Sequence, residues 1–422
     1  MTLNPEPRIL NPERATEIAL ARALPRSVLA LGGELKNTVC WAQGMTARLS
    51  APLENLREEQ CLRMFEQSAC TWPAEWGAAP DVVAHDLHPE YLSSKLALRC
   101  QYGVQPMRER PPYRDAGVSE LQQVRGMEAP PTLWPGVARV GVQHHAAHVA
   151  SCCAAEDVWD ACVGIAFDGT GYGSDGTIWG GEFFRGSIPD GFRRVGRLRP
   201  FALVGGERAI HEPWRIALAL ACASDIVWPT PVTVPGETGE IVRAALAAGA
   251  PNVVYTSSAG RLFDGVAALL GLHTTVTREA AAAIALEQAA AGARGTVTVH
   301  PVEISIGADG VLELDWRPML RALWADHTRA AALADSAAAF HQWLADAVGQ
   351  LWARVAGPAT LVASGGVLWN KVFAGHLQTV CAQRGVRLVL PRRVPPSDAG
   401  IALGQAVLAA FARNSNEEDK RH

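Results

Sequence analysis

The phrase Phe167-Asp-Gly-Thr-Gly-Tyr-Gly-Ser-Asp-Gly-Thr-Ile-Trp-Gly-Gly-Glu-Phe183, a short way after Gln143-His-His-Ala-Ala-His148, most constrains what this chain can fold into. The apolar run Cys162 to Phe167 reads as a strand that ends on Asp168. Glycines at 169, 171, 173 and 176 then fit a tight hairpin whose backbone approaches a phosphate closely. Glycines also serve ordinary hairpin turns, and this spacing is neither a GxGxxG turn nor a Walker loop. Upstream, the strand-like run Val137 to Val142 leads into the histidines, and the Ala-rich residues after them continue as a helix. The i,i+4 spacing of His144 and His148 stacks both imidazoles on one helix face, where one ion can hold both rings. The same spacing also suits two histidines that merely cap or line a helix.

Two further elements carry chemistry. At Ala359-Thr-Leu-Val-Ala-Ser-Gly-Gly-Val-Leu-Trp-Asn370 a short apolar strand breaks at Gly365-Gly366 before a helix, which suits contact with a nucleotide. At Val394-Pro-Pro-Ser-Asp-Ala-Gly-Ile-Ala-Leu-Gly404 Asp398 stands at a helix start, where an ordinary N-cap carboxylate is the alternative.

In this order these phrases resemble the C-terminal carbamoyltransferase module of the HypF hydrogenase-maturation family, itself similar to the TsaD family of tRNA-modifying proteins. The resemblance runs from Leu31-Gly-Gly-Glu-Leu-Lys-Asn-Thr38 through His85-Asp-Leu-His-Pro-Glu-Tyr-Leu-Ser93 to the histidine pair and the Asp168 hairpin. It continues through Glu212-Pro-Trp-Arg215 and Thr256-Ser-Ser-Ala-Gly-Arg-Leu-Phe-Asp264 to Ser364-Gly-Gly366 and Asp398. It implies an α/β fold of two RNase H-like lobes of the actin and sugar-kinase (ASKHA) type, with a nucleotide cleft between them. The first lobe is expected over 26–160, with an insertion at 102–136, and the second over 161–412.

The resemblance also implies an iron or zinc ion held by His144, His148, Asp168 and Asp398. The ATP or AMP moiety of carbamoyl adenylate would lie against Gly169, Gly171, Glu279, Gly365 and Gly366, with Asp264 on the ribose and Asn370 near the adenine. The activity implied is carbamoyl transfer to the C-terminal cysteine thiol of a HypE-like acceptor. Lys36 and His85 are candidates to hold the carbamoyl group, or else structural residues in a salt bridge or hydrogen bond. The family's full chains also carry an acylphosphatase-like domain, a CxxC-bearing zinc region and a YrdC-like domain. This chain is expected to carry only the last module, so that carbamoyl adenylate comes from a separate YrdC-like enzyme or a missing domain.

Several positions depart from the family pattern. The third histidine of the usual HHHAH phrase is Ala146, a Glu-Gly-Gln-Ala-Ala phrase reads Glu279-Ala-Ala-Ala-Ala283, a His-Ile-Gly-Asp phrase contracts to Ala51-Pro-Leu53, and the Asp of Gly-Gly-Asp is Glu207. They leave room for two other readings, an O-carbamoyltransferase acting on a small-molecule hydroxyl and a non-catalytic nucleotide-binding scaffold.

Composition narrows the class. A length of 422 residues makes two or three domains the natural expectation, and 49% hydrophobic residues suffice for substantial cores. The net charge of −4 gives no basic balance for a nucleic-acid partner. No apolar run reaches the length of a membrane span and the N-terminus lacks a signal-peptide pattern, so a cytoplasmic chain is expected. Nine cysteines without CxxC spacing read as reduced, mostly buried thiols, with Cys152-Cys153 as helix packing residues. The 102–136 insertion, rich in Pro, Arg and Glu, reads either as a docking surface for a partner or as a solvated loop.

Overall fold

The computed structural model describes residues 15–75, 79–99, 136–228, 234, 236–250, 253–294, 297–329, 331–355 and 358–413. The expected insertion at 102–136 lies outside them, apart from its last residue. The first series of elements comprises strands β1 (Thr16–Ala19), β2 (Val28–Ala30), β3 (Leu35–Asn37), β4 (Cys40–Gln43), β5 (Thr46–Leu49) and β6 (Leu53–Asn55). Helix α1 (Glu59–Glu75), β7 (Val82–Asp86), α2 (Leu92–Arg99), β8 (Ala138–Val142) and α3 (His144–Ala155) complete it.

The second series opens with β9 (Cys162–Tyr172), β10 (Ile178–Ser187), β11 (Gly191–Leu198) and β12 (Phe201–Val204). Next come α4 (Arg208–His211), α5 (Pro213–Ala223), α6 (Gly236–Ala248), β13 (Val253–Thr256), α7 (Ala259–Leu269) and α8 (Ala281–Ala291). It ends with β14 (Glu303–Ile306), β15 (Leu312–Asp315), α9 (Arg317–Thr328), α10 (Leu333–Arg354), β16 (Thr360–Ser364), α11 (Lys371–Gln383), β17 (Arg387–Val389) and α12 (Ile401–Phe411).

The two main sheets share one order of strands. In the first, β5-β4-β2-β7-β8 lie side by side, and in the second β11-β10-β9-β16-β17. In each, three strands pair antiparallel and the next two run parallel to the central one. This is the RNase H-like arrangement, present twice. The strands alternate as half-buried or sandwiched strands do: Val28 and Ala30 enter one apolar cluster, while Leu29 joins Phe65, Trp72 and Leu96 in another.

The lobes exchange helices. Helix α3, which follows the last strand of the first sheet, packs on β9 and β16 of the second, whereas α12, which follows the last strand of the second, packs on β2 and β7 of the first. The two helices also pack against each other, and their side chains share a single core with both sheets. Small residues allow it. A Cβ on Gly404 would stand 1.9 Å from the carbonyl oxygen of Ala147, and one on Gly164 would stand 2.3 Å from a methyl of Val149. Every residue of α3 is buried, among them Cys152 and Cys153, which fill space in the helix as their position suggested. All described cysteines are free thiols.

One local expectation shifts. Strand β9 does not end at Asp168 but continues to Tyr172, since Tyr172 and Gly171 still pair with Ile178 and Trp179 on β10, and the turn falls at Gly173–Thr177.

Replacing a helical glycine by alanine ordinarily stabilises by about 0.5–1 kcal/mol. At Gly404 the sign should reverse, because the added methyl meets a backbone carbonyl that cannot rotate away. We expect Gly404→Ala to lose about 1–3 kcal/mol in urea unfolding. A midpoint equal to or above that of the wild type would show that α3 and α12 are not held this close.

Candidate active site

Strand β8 delivers the chain to the start of α3, where the Gln143 side chain accepts from the Ala146 amide at 2.9 Å and caps the helix. His144 and His148 therefore stack one turn apart, with ring centroids 5.1 Å from each other. Asp168 on β9 and Asp398, in a short 3-10 turn just before α12, complete a cluster of four potential ligands whose donor atoms all lie within 4.8 Å. Nε2 of His144 is 3.7 Å from Asp168 Oδ2 and 3.9 Å from Asp398 Oδ1. For His148 the corresponding distances are 3.4 and 3.6 Å. Neither Nε2 atom has a hydrogen-bond partner, although both are buried. The second oxygen of Asp168 accepts from the Gly366 amide at 3.0 Å, which fixes the direction in which the carboxylate faces the histidines.

The electrostatics follow from burial against pairing. Burial disfavours the cationic form of His144, but the buried Asp86 carboxylate and then Asp168 outweigh it and hold the group well above its ordinary value. His148 is likewise raised, with burial opposed by Asp168 and Asp398. For Asp168, burial pushes upward but the two histidines hold it well below the usual carboxylate range. Two nitrogens and two oxygens converge on one point, and the two nitrogens have no hydrogen-bond partner.

A cavity of about 490 Å³ opens beside this cluster, and Asp168 and Asp398 belong to its wall. Of the other residues singled out in the sequence, Lys36, Gly169, Glu279, Gly366 and Asn370 also line it, whereas His85, Gly171, Asp264 and Gly365 do not. Lys36 comes from β3 in the first lobe and reaches Glu279 of the second at 3.9 Å, so this ion pair spans the two lobes. The His85 Nδ1 meets the Asp86 carbonyl at 2.7 Å. Gly171 makes room for histidines, since a Cβ there would stand 2.6 Å from His145 and 2.7 Å from His144. Gly365 adopts φ +100 against the backbone of Phe167, a conformation and a proximity that only glycine permits.

Asp264 is buried and ion-paired with Arg261 at 3.0 Å, and it is Arg261 that reaches the wall. The exposed Glu279 carboxylate and the Arg261 guanidinium flank Gly169, whose Cβ position lies 3.8 Å from one and 3.6 Å from the other. Asn370 is the N-cap of α11: its Oδ1 accepts from the Phe373 amide, and its Nδ2 donates to Nε2 of His341 at 2.9 Å. Arg261 and Asp86 were not anticipated. Asp86 stands inside a phrase already noted for His85, and Arg261 inside one noted for Asp264, but nothing local tells which neighbour turns inward.

A family model described as a carbamoyltransferase Kae1-like domain, second subdomain, matches residues 164–405, and one described as the HypF Kae1-like domain matches residues 23–155. Carbamoyltransferase HypF2 of Cupriavidus necator is 33% identical over 421 residues, covering 93% of this chain and 47% of the relative. A carbamoyltransferase HypF homolog of the same organism is 36% identical and is covered to 91%, as is this chain. The solved structure of full-length HypF in the phosphate- and nucleotide-bound form superposes with a TM-score of 0.77 at 28% identity, over 93% of this chain and 56% of that one. The chain thus spans about half the length of full-length relatives such as HypF2. Among the described residues no helix is long and apolar enough to cross a membrane.

His341 gives a pH test of the wall. Its Nδ1 lies 2.7 Å from the Ala337 carbonyl and its Nε2 accepts from Asn370, so the ring must be neutral, and burial pushes it down to about 4. A folded value below the unfolded one, near 6.5, gives stability that is complete above pH 6.5 and is lost as pH falls toward 4. At about 1.4 kcal/mol per pH unit, the loss is on the order of 3 kcal/mol. Urea unfolding of wild type and His341→Gln between pH 7 and 4 should show a steeper fall in the wild type by about that amount. Parallel curves would remove His341 as a neutral brace for Asn370.

Proposed function

The chain belongs to the HypF family of carbamoyltransferases, and from that premise we propose that it transfers a carbamoyl group from carbamoyl adenylate to the C-terminal cysteine thiol of a HypE-like protein. The observation that carries this reading is that Asp168 and Asp398 belong both to the four-ligand cluster and to the wall of a nucleotide-sized cavity. A metal in the cluster would therefore adjoin whatever the cavity holds.

The residues fit such an ion. Bonds of about 2.0–2.2 Å around one tetrahedral centre place ligand atoms roughly 3.3–3.6 Å apart, close to the 3.4–3.9 Å found between the histidine nitrogens and the two carboxylates. Two imidazoles and two carboxylates suit iron or zinc without choosing between them. When bound, the ion would supply positive charge beside the adenylate phosphate as the carbamoyl carbon–oxygen bond breaks.

The chain's own residues supply the rest. Gly169 and Gly366 let the backbone come close to the phosphate, with the buried Arg261 as a fixed cation beside Gly169. Asp264 holds that guanidinium, and Glu279, exposed in the cavity wall beside Lys36, offers a carboxylate to the ribose hydroxyls. Trp369 and Ile284, both largely exposed in the cavity wall, offer apolar faces to the base. Lys36, in the wall beside Glu279, offers an ammonium to the carbamoyl oxygen. In the transfer a bond forms between thiol sulfur and carbamoyl carbon. AMP departs with the electron pair of the broken bond, and the thiol proton passes to solvent. No described cysteine lines the cavity, in keeping with an acceptor thiol brought by another protein.

Two measurements test this. Elemental analysis should find bound iron or zinc in the wild type and a loss of it in the His144→Ala/His148→Ala double variant, with equal content in both refuting the metal. Supplied with carbamoyl adenylate by a separate YrdC-like enzyme, the wild type should add carbamoyl to the C-terminal cysteine of HypE, read as a mass increase, and the double variant should not. Transfer to a small hydroxyl compound with none to HypE would replace the acceptor, and transfer to neither would leave a nucleotide-binding scaffold.

A further inference from the structure

We propose that Asp86, which is not one of the four ligands, is the positioning carboxylate of the metal centre: it holds His144 in the tautomer and orientation that present Nε2 to the ion. The proposal rests on the metal reading above and extends it to a residue outside the cluster. Asp86 is the last residue of β7 and is paired in register with Val142 on β8, two residues before His144, so the end of one strand stands beside the start of α3. Its Oδ2 lies 2.8 Å from Nδ1 of His144, and both side chains are wholly buried. Its Oδ1 accepts from the His88 amide at 2.9 Å. Both oxygens are thereby engaged, and neither belongs to the ligand set.

The chemistry follows from that bond. A carboxylate accepts only, so Nδ1 of His144 must carry the proton, and the lone pair of a neutral ring is then on Nε2, the atom directed at Asp168 and Asp398. A buried carboxylate costs several kcal/mol unless it is paired. The ring in turn gains basicity from the anion behind it, and loss of such a partner typically weakens a metal site about 10- to 100-fold. Asp86 also ties the site to the cavity, because the ring of His88 stacks on Tyr91 with centroids 4.1 Å apart and Tyr91 is part of the wall.

The test measures Zn(II) affinity of the purified full chain by competition with a chromogenic chelator. Asp86→Asn keeps the size but removes the charge, and it should bind Zn(II) about 10- to 100-fold more weakly than the wild type. Ser94→Ala serves as the control, since the Ser94 hydroxyl donates to the Asp86 backbone carbonyl at 2.8 Å and its loss disturbs the same loop without touching the carboxylate. It should retain wild-type affinity. Equal affinity of Asp86→Asn and wild type, or an equal loss in both variants, overturns the proposal. A wild type that binds no Zn(II) and no Fe(II) instead overturns the metal reading on which it rests. If Asp86→Asn fails to fold, nitrogen-15 NMR of the Zn(II)-loaded wild type decides: Nδ1 of His144 should keep its proton, and coordination through Nδ1 refutes the assignment.

Discussion

Helices α3 and α12 touch at backbone distance, and the site exists because they do. Each leaves the last strand of one sheet and covers the other, so neither lobe has a complete core without the partner's helix. Gly404 against the Ala147 carbonyl sets the separation. Polar bonds fix the rotation: the Ser151 hydroxyl donates to the Gly400 carbonyl at 2.7 Å, and Gln405 accepts from the Gly32 amide at 2.9 Å. Thr38 donates to the Ala399 carbonyl at 3.0 Å, anchoring the first lobe to the turn that carries Asp398. With the starts of α3 and α12 held together over β9, the histidine pair, Asp168 and Asp398 have one place to meet.

The concentration of buried charge around that place has a cost that the fold offsets by pairing. Asp86 faces His144, Asp168 is held by the Gly366 amide, and Arg261 is matched by Asp264. Behind the β9–β10 hairpin the fully buried Glu182 pairs with Arg194 at 2.8 Å, and the same guanidinium lies 3.9 Å over the Trp179 ring. This second buried pair braces the hairpin that presents Asp168 and Gly169. The Nε2 atoms of His144 and His148 are among the buried atoms left without a hydrogen-bond partner, where such groups are normally satisfied.

The cavity draws on both lobes. Lys36 and Tyr91 come from the first, while Gly169, Arg261, Glu279, Gly366 and Asn370 come from the second. Opposite charges on Lys36 and Glu279 meet across the opening, half exposed and therefore weak, as an ion pair at a surface is. Lys36 and Ala280 both adopt positive φ, and both sit at this rim. Non-glycine residues take that conformation uncommonly.

Features written in short stretches were legible in the sequence. The i,i+4 histidines, the apolar strand leading to Asp168, the Gly365-Gly366 break and the helix start near Asp398 each depend on neighbours within a few residues, where strand and helix periodicity act. The order of those phrases pointed to two RNase H-like lobes, which the repeated strand order displays. What periodicity does not encode is which distant surfaces meet. The extension of β9 to Tyr172 depends on partners in β10, and the displacement of Asp264 from the cavity depends on Arg261 turning toward the wall and taking its carboxylate. The pairing of Asp86 with His144, 58 residues away, and the exchange of α3 and α12 arise only when two sheets close on one core. The sequence by itself determined which side-chain types can meet at the site and their local geometry, because backbone sterics and side-chain spacing fix those. Only the tertiary structure decided which carboxylates face which nitrogens, because long-range packing sets the distances on which those interactions depend.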